Sequence, residues 1–377
     1  MKTSSVNPKV KQIYLDAPNI GALEKEYLAK AIDSGFVSSI GPLVTQFEET
    51  FACFVGAGHA VSTQSGTAAL HMALQELGIG PGDEVIVPAL TFAATVNPVL
   101  YVGARPVIVD VDPKTWNIDL KDVERSVTKK TKAIVPVHLY GNPCDMASLM
   151  KTAKEKNISI IEDATESLGA KYNNQYTGTL GEFGCFSFNG NKIITTGGGG
   201  MVVGRNNQQL AHIQYLANQA KDKVRSGFHA EMGFNYRMTN IEAALGLAQM
   251  ERLEGFLNKK RVFAAIYREE LGSVSDIQFQ ETYTQSMSSF WLNGISFKKE
   301  IDLALLQRRL KDKGIATNRI FMPLVELPYL MDFKLSVCEK AKDLYQRSLC
   351  LPSSTLNSED DIALAAKILK EELSELK

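Results

Sequence analysis

The 377-residue sequence has few cysteines, no excess charge of either sign and no uniformly apolar run, and each lack closes off a class of protein. Its five cysteines, Cys53, Cys144, Cys185, Cys338 and Cys350, are an odd, scattered set without a CxxC pair. They read as reduced core thiols of a cytoplasmic protein, not as a disulfide framework. Lys plus Arg number 41 and Asp plus Glu 42, for a net charge of -1. No basic excess exists to draw the chain onto nucleic acid or an anionic membrane. The opening residues lack the apolar h-region of a secretory signal. Val85 to Ala104 carries no charge, but Pro88, Asn97 and Pro98 interrupt it. A membrane span is more uniformly apolar, so no membrane insertion is expected.

Several catalytic signatures are also missing. The sequence has no GxxxxGK[ST] loop, no strand–GxGxxG–helix unit, no HExxH and no GxSxG elbow. The five histidines (His59, His71, His138, His212, His229) show no metal-ligand spacing, so no metal site is expected.

What is present is an alternation of strand-length apolar runs with amphipathic helices from Ser65 to about Val203. Ala69, Leu70, Ala73, Leu74 and Leu77 fall on one helical face after Gly66. Strands are expected at EVIVP, PVIVDVD, KAIVPVHLYG and ISIIED, with a helix over Phe92 to Val102 that Pro98 must kink or restart. The strands are too apolar to alternate, as in a mostly parallel sheet covered by helices on both faces. This is an α/β fold. Shorter strands follow at CFSFN and GGMVVG, then one long or once-broken helix from Asn240 to about Leu271. Strands SFWLNGISF and GIATNRI, with helices near Leu303 to Asp312, Cys338 to Arg347 and from Asp360, make a smaller α+β C-terminal domain.

Three places could carry chemistry. Ser65-Gly66-Thr67 opens a helix after a strand, where a phosphate could sit, although by itself an ordinary N-cap for a core helix is the favoured reading. Glu162-Asp163 ends a strand, where a carboxylate can cap a helix or meet a cationic ligand group. Lys192 lies between two strands just before four glycines, Gly197 to Gly200. A lone loop lysine is ordinarily a solvated charge.

Those features, in that order, resemble the DegT/DnrJ/EryC1/StrS family of pyridoxal-phosphate sugar aminotransferases, a branch of the fold type I (aspartate aminotransferase-like) enzymes. The likeness runs through SGTAALHMAL, IIEDATESLGA, FGCFSFNGNKIITTGGGGMVV and GFNYRMTNIEAALGLAQMERL. It implies a large cofactor-binding domain over residues 1–255 and a small domain over 256–377. It implies Lys192 as the Schiff-base lysine, Asp163 as partner of the pyridine nitrogen and Gly66, Thr67 and Ser187 as holders of the phosphate. Phe92 would stack on the ring, and Glu166 would lie near the ring hydroxyl. Asn235 would reach the phosphate from the partner subunit of a homodimer. The implied reaction is ping-pong, with glutamate converting pyridoxal 5'-phosphate to pyridoxamine 5'-phosphate before a nucleotide-linked keto sugar takes the amine. ATESLG, FNGNK and TTGGGG are most similar to the branch acting at C4 of UDP-linked 4-keto-6-deoxy-N-acetylglucosamine, in bacillosamine or legionaminic acid type pathways. A perosamine-type or 3-keto sugar substrate is the alternative, and a non-catalytic regulator on the same fold a further one. Ser38, Gly41 and Arg319 are candidates for contacting the sugar or its diphosphate.

Overall fold

The computed structural model describes residues 11–333 and 337–376. Residues 1–10, at the start of the expected large domain, 334–336 and Lys377 lie outside the described residues.

Seven strands form the central sheet: β1 (His59–Thr63), β2 (Glu84–Pro88), β3 (Arg105–Val109), β4 (Thr131–Ile134), β5 (Ser159–Asp163), β6 (Phe183–Ser187) and β7 (Gly200–Gly204). They lie in the order β1-β7-β6-β5-β4-β2-β3. Only β7 runs against its neighbours, pairing antiparallel with β1 and β6. The other pairs are parallel. Successive residues of β2 show why its sequence does not alternate. Val85 and Val87 point into one core and Ile86 into another on the opposite face, and all three are fully buried.

Helix α1 (Gly66–Glu76) follows β1, and Ser65 is its N-cap, accepting the Ala68 amide. Helix α2 (Asn240–Leu271) is unbroken over 32 residues, started by a Thr239–Glu242 capping box. It gives Leu253, Phe256 and Leu257 to the large core and Phe263, Tyr267 and Leu271 to a second one. A four-stranded antiparallel sheet (Ile277–Phe279, Asn293–Phe297, Ser348–Leu351, Asn318–Arg319) builds that second core, with helices Leu303–Asp312 and Glu359–Glu375 packed on it. Ile13 crosses over to join it.

Several expectations need correction. The helix expected over Phe92 to Val102 is a 3₁₀ turn, Ala93–Thr95, followed by a separate helix, Asn97–Tyr101, that restarts at Pro98. The strand expected at GIATNRI shrinks to Asn318–Arg319, and SFWLNGISF is extended only from Asn293. Helix Ala22–Asp33 was not foreseen; only Glu24 and Ala31 of it are fully buried, and its inward Leu23, Tyr27 and Leu28 are half-buried. Helix Pro42–Val55 had its signals, Pro at its start and Gly56 after its end. Cys53 lies on its exposed side, so only the other four cysteines are core thiols, and no disulfide joins any of the five. Among the described residues, no helix is long and apolar enough to cross a membrane.

Candidate active site

The carboxyl ends of β5 and β6 and the start of α1 open on one cavity of about 330 Å³. Ligands of open α/β sheets collect at this edge, where strands stop and helix amides are unpaired. Gly66, Thr67, Phe92, Asp163, Glu166, Ser187 and Lys192 all line it. Seven of the candidate residues, from segments up to 126 positions apart, therefore share one space.

Asp163 is buried at the last position of β5. Its Oδ1 accepts the amide (3.2 Å) and hydroxyl (2.6 Å) of Thr165, and its Oδ2 the hydroxyl of Thr95 at 2.7 Å. Thr95 spends its only hydroxyl proton on Asp163, so in its 2.7 Å contact with Thr91 it is the acceptor. The donors Thr91, Thr95 and Thr165 hold the carboxylate in one orientation. Its neighbour Glu162 points to the other face, where His138 and the amides of Gly178, Leu180 and Gly181 satisfy it.

Glu166 is buried, and its Oε2 takes the backbone amide of Tyr140 at 2.9 Å. Its Oε1 stands 3.7 Å from Lys192 Nζ. Burial pushes the Glu166 carboxyl up to about 7, against the opposing pull of Lys192. Burial likewise lowers the Lys192 ammonium from its ordinary value, against the attraction of Glu166 and Asp163. A lysine so placed is available as a neutral amine nearer to neutrality than a surface one. Tyr140 presents its amide by adopting φ 56°, ψ 21°, a left-handed conformation uncommon outside glycine.

The cradle at α1 is shaped by absent side chains. A Cβ on Gly66 would lie 2.9 Å from both Ser187 Cβ and Thr165 Cγ2. Ser65 is occupied by the third amide, which leaves the first-turn amides of Gly66 and Thr67 for an anion, and Thr67 and Ser187 bring their hydroxyls to the lining of the same cavity. The glycine run serves the protein's own packing. Gly197 has φ +87°, a Cβ on Gly199 would meet Thr196 Oγ1 at 2.3 Å, and one on Gly200 would meet Ser65 at 2.5 Å. Only Gly198 of the four has neither a positive φ nor a neighbour that a Cβ would meet closer than 3.5 Å.

Four candidates lie outside this cavity. Asn235 is exposed, in a segment bridged to Asn218. Ser38 and Gly41 belong to a stretch fastened to the start of α2. There Asn240 donates its amide to Ser38 O and its side chain to Phe36 O, and leaves no room for a Cβ on Gly41. Arg319 hydrogen-bonds Tyr345 O and stacks over the Tyr345 ring at 4.5 Å, so its guanidinium is already engaged. Residues not foreseen also take part: Thr91, Thr95, Thr165, Tyr140, Trp291 and Phe321. For Thr165, the position inside ATESLG was a usable signal; for Trp291, nothing local marked it.

A model of the DegT/DnrJ/EryC1/StrS aminotransferase family matches residues 18–370. The chain belongs to that family. It is 40% identical to the GDP-perosamine synthase of Escherichia coli O157:H7 over 95% of this chain and 98% of that one. It is 34% identical to the UDP-N-acetyl-3-dehydro-alpha-D-glucosamine 3-aminotransferase of Acidithiobacillus ferrooxidans, over 90% and 91%. Among solved structures, a Streptococcus pneumoniae protein described as a sugar aminotransferase superposes in its PMP form with TM-score 0.93 at 27% identity. That match covers 97% of this chain and 98% of the other, and the PLP form superposes with the same TM-score. The fold type I architecture and the pyridoxal phosphate cofactor follow, and the enzyme is a pyridoxal-phosphate-dependent sugar aminotransferase. The cavity fits the cofactor on its own chemistry, with an amine, a buried carboxylate and a phosphate cradle that a methyl group would fill.

Proposed function

We propose that the enzyme moves an amino group from glutamate to the C4 keto group of a nucleotide-linked 4-keto-6-deoxy sugar. The observation that carries the chemistry is Lys192 Nζ opening into the same cavity as buried Asp163 and the Gly66 cradle. Bound there, pyridoxal phosphate supplies an electron sink and a carrier for the amine. Gly66, Thr67 and Ser187 hold its phosphate, and Asp163 sets a fixed negative charge against its pyridine nitrogen. Phe92, 57% exposed at the cavity edge, would cover one face of the ring. Glu166 would stand by the ring hydroxyl. Lys192 takes the proton from the donor's α-carbon and returns one to the sugar carbon, which a mobile amine of lowered basicity does well.

On the sugar, motif likeness favours the UDP-N-acetylglucosamine series, while the more similar relative makes GDP-perosamine. Perosamine is itself a 4-amino-6-deoxy sugar, so the two readings share the C4 amination, and the proposal rests on that shared part. The 3-amino relative is less similar, at 34% against 40%. The reading includes a homodimer, which is supported by Asn235 lying exposed outside its own cavity, where it would reach a partner's phosphate site, and by Ile40 and Met232 being 72% and 75% exposed. Ser38 and Gly41, also outside their own cavity, suit the same arrangement; Arg319, tied to Tyr345, would have to let go of it to meet a diphosphate. Five cysteines without a disulfide suit the cytoplasm.

The test has two parts. Protein given pyridoxal phosphate turns yellow, and Lys192→Ala does not; a colourless wild type sinks the reading. Incubation with glutamate and a panel of UDP- and GDP-linked 4-keto and 3-keto sugars, followed by mass spectrometry, then names the substrate. Amination of 3-keto sugars alone overturns the C4 assignment.

A further inference from the structure

The Lys192 amine has a second neighbour besides Glu166. Its Nζ lies 3.8 Å from the centroid of the Trp291 ring, well inside the range at which an ammonium is attracted to an indole face. Trp291 is itself fixed. It is 3% exposed, its Nε1 donates to Asn191 O at 2.7 Å, and the Tyr140 ring packs against it at 6.1 Å. Its carbonyl accepts Lys260 Nζ at 3.0 Å. Lys260 is buried on α2, where that helix passes from the large core to the small one, and it also donates to Ser353 O at 2.8 Å. Two carbonyls from different segments are thus tied by one buried amine, and the indole is held under Lys192 from below.

An indole face has a property that a carboxylate lacks. It attracts the ammonium but offers no proton and accepts none, and its hold weakens as the amine becomes neutral. Without such a wall, four rotatable bonds would let the amine wander once it is not covalently held. We propose that Trp291 is a positioning residue whose indole face seats the Lys192 amine whenever it is free, with Lys260 as the anchor of that seat. The assignment rests on the proposed role of Lys192, which frees the amine in every cycle.

The test uses the protein without cofactor, so that it is independent of turnover. Competitive acylation of lysines across pH, read by peptide mass spectrometry, gives the titration midpoint of Lys192 itself. In Trp291→Leu that midpoint falls by about 0.5–1.5 pH units relative to wild type, while Trp291→Phe recovers most of it. Lys260→Met gives a shift in the same direction. An unchanged Lys192 midpoint in folded Trp291→Leu overturns the seat, and an unchanged one in folded Lys260→Met overturns the anchor.

Should Trp291→Leu not fold, Trp116→Phe leaves Trp291 as the one tryptophan. Its emission then changes with pH at the Lys192 midpoint, and Lys192→Met abolishes that change; emission that ignores Lys192 overturns the proposal. Failure of the protein to bind pyridoxal phosphate would instead strike the proposed function and leave the labelling result standing.

Discussion

Thr95 gives its hydroxyl proton to Asp163 Oδ2 across 2.7 Å, linking the loop after β2 to the last residue of β5. The bond is charge-assisted and buried, the kind worth about 1.5–3 kcal/mol. Thr95→Val keeps the shape and removes the donor. It should cost about 1–3 kcal/mol in stability. It should also slow the half-reaction with glutamate by about ten- to a hundredfold while the protein still turns yellow. Chemical denaturation and stopped-flow absorbance check the two effects; an unaltered rate would mean that Thr165 alone orients Asp163.

Gly66 is the tightest point of the phosphate cradle. A methyl group there meets Ser187 Cβ and Thr165 Cγ2 at 2.9 Å, and neither is the end of a long flexible chain. Overpacking of this kind costs about 1–3 kcal/mol. Gly66→Ala should therefore lose both stability and at least tenfold in affinity for pyridoxal phosphate, measured by equilibrium dialysis. Gly198→Ala is the control, since its Cβ finds ordinary van der Waals room.

Glu166 ties stability to pH. Its folded value of about 7 lies above the ordinary 4.5, so the folded protein holds the extra proton between those limits. Stability from this group is present at low pH and is lost as pH rises through about 7. Glu166→Gln removes that loss. Its melting temperature relative to wild type should rise between about pH 4.5 and pH 8, measured without cofactor. A pH-independent difference would show that Glu166 is not the group that titrates.

The cross-subunit role proposed for Asn235 predicts complementation. Lys192→Ala and Asn235→Ala are each defective alone, but a mixed dimer should contain one site with both residues intact. Activity in the mixture approaching one competent site per heterodimer supports sharing. Recovery no better than the parents would put both residues in one subunit's own site.

Much of the fold was readable because it is local. The stripe after Gly66 and the 32 residues of α2 carry their period within the segment, and β2 to β5 are marked by unbroken apolar runs of strand length. Helix Ala22–Asp33 escaped because its inward face is mostly half-buried and interrupted by charge, with Glu24 buried among Leu23, Tyr27 and Leu28. In the small domain, Asn318–Arg319 is too short to announce itself.

The sequence by itself determined the family, the sheet and the order of the motifs, since Lys192, Asp163 and Gly66 sit inside contiguous strings with distinctive spacing. Only the tertiary structure decided which residues hold them. Thr95 reaches Asp163 over 68 positions, the amide of Tyr140 reaches Glu166 through a left-handed turn, and the ring of Trp291 reaches Lys192 over 99. It also decided the purpose of the glycines: three of the four are required by backbone conformation or packing, and Gly198 alone is not. Spacing along a chain encodes which residues share a helix face or a strand end. Contacts made between segments that pack late and far apart leave no such period, and the residues that orient the chemistry are of that kind.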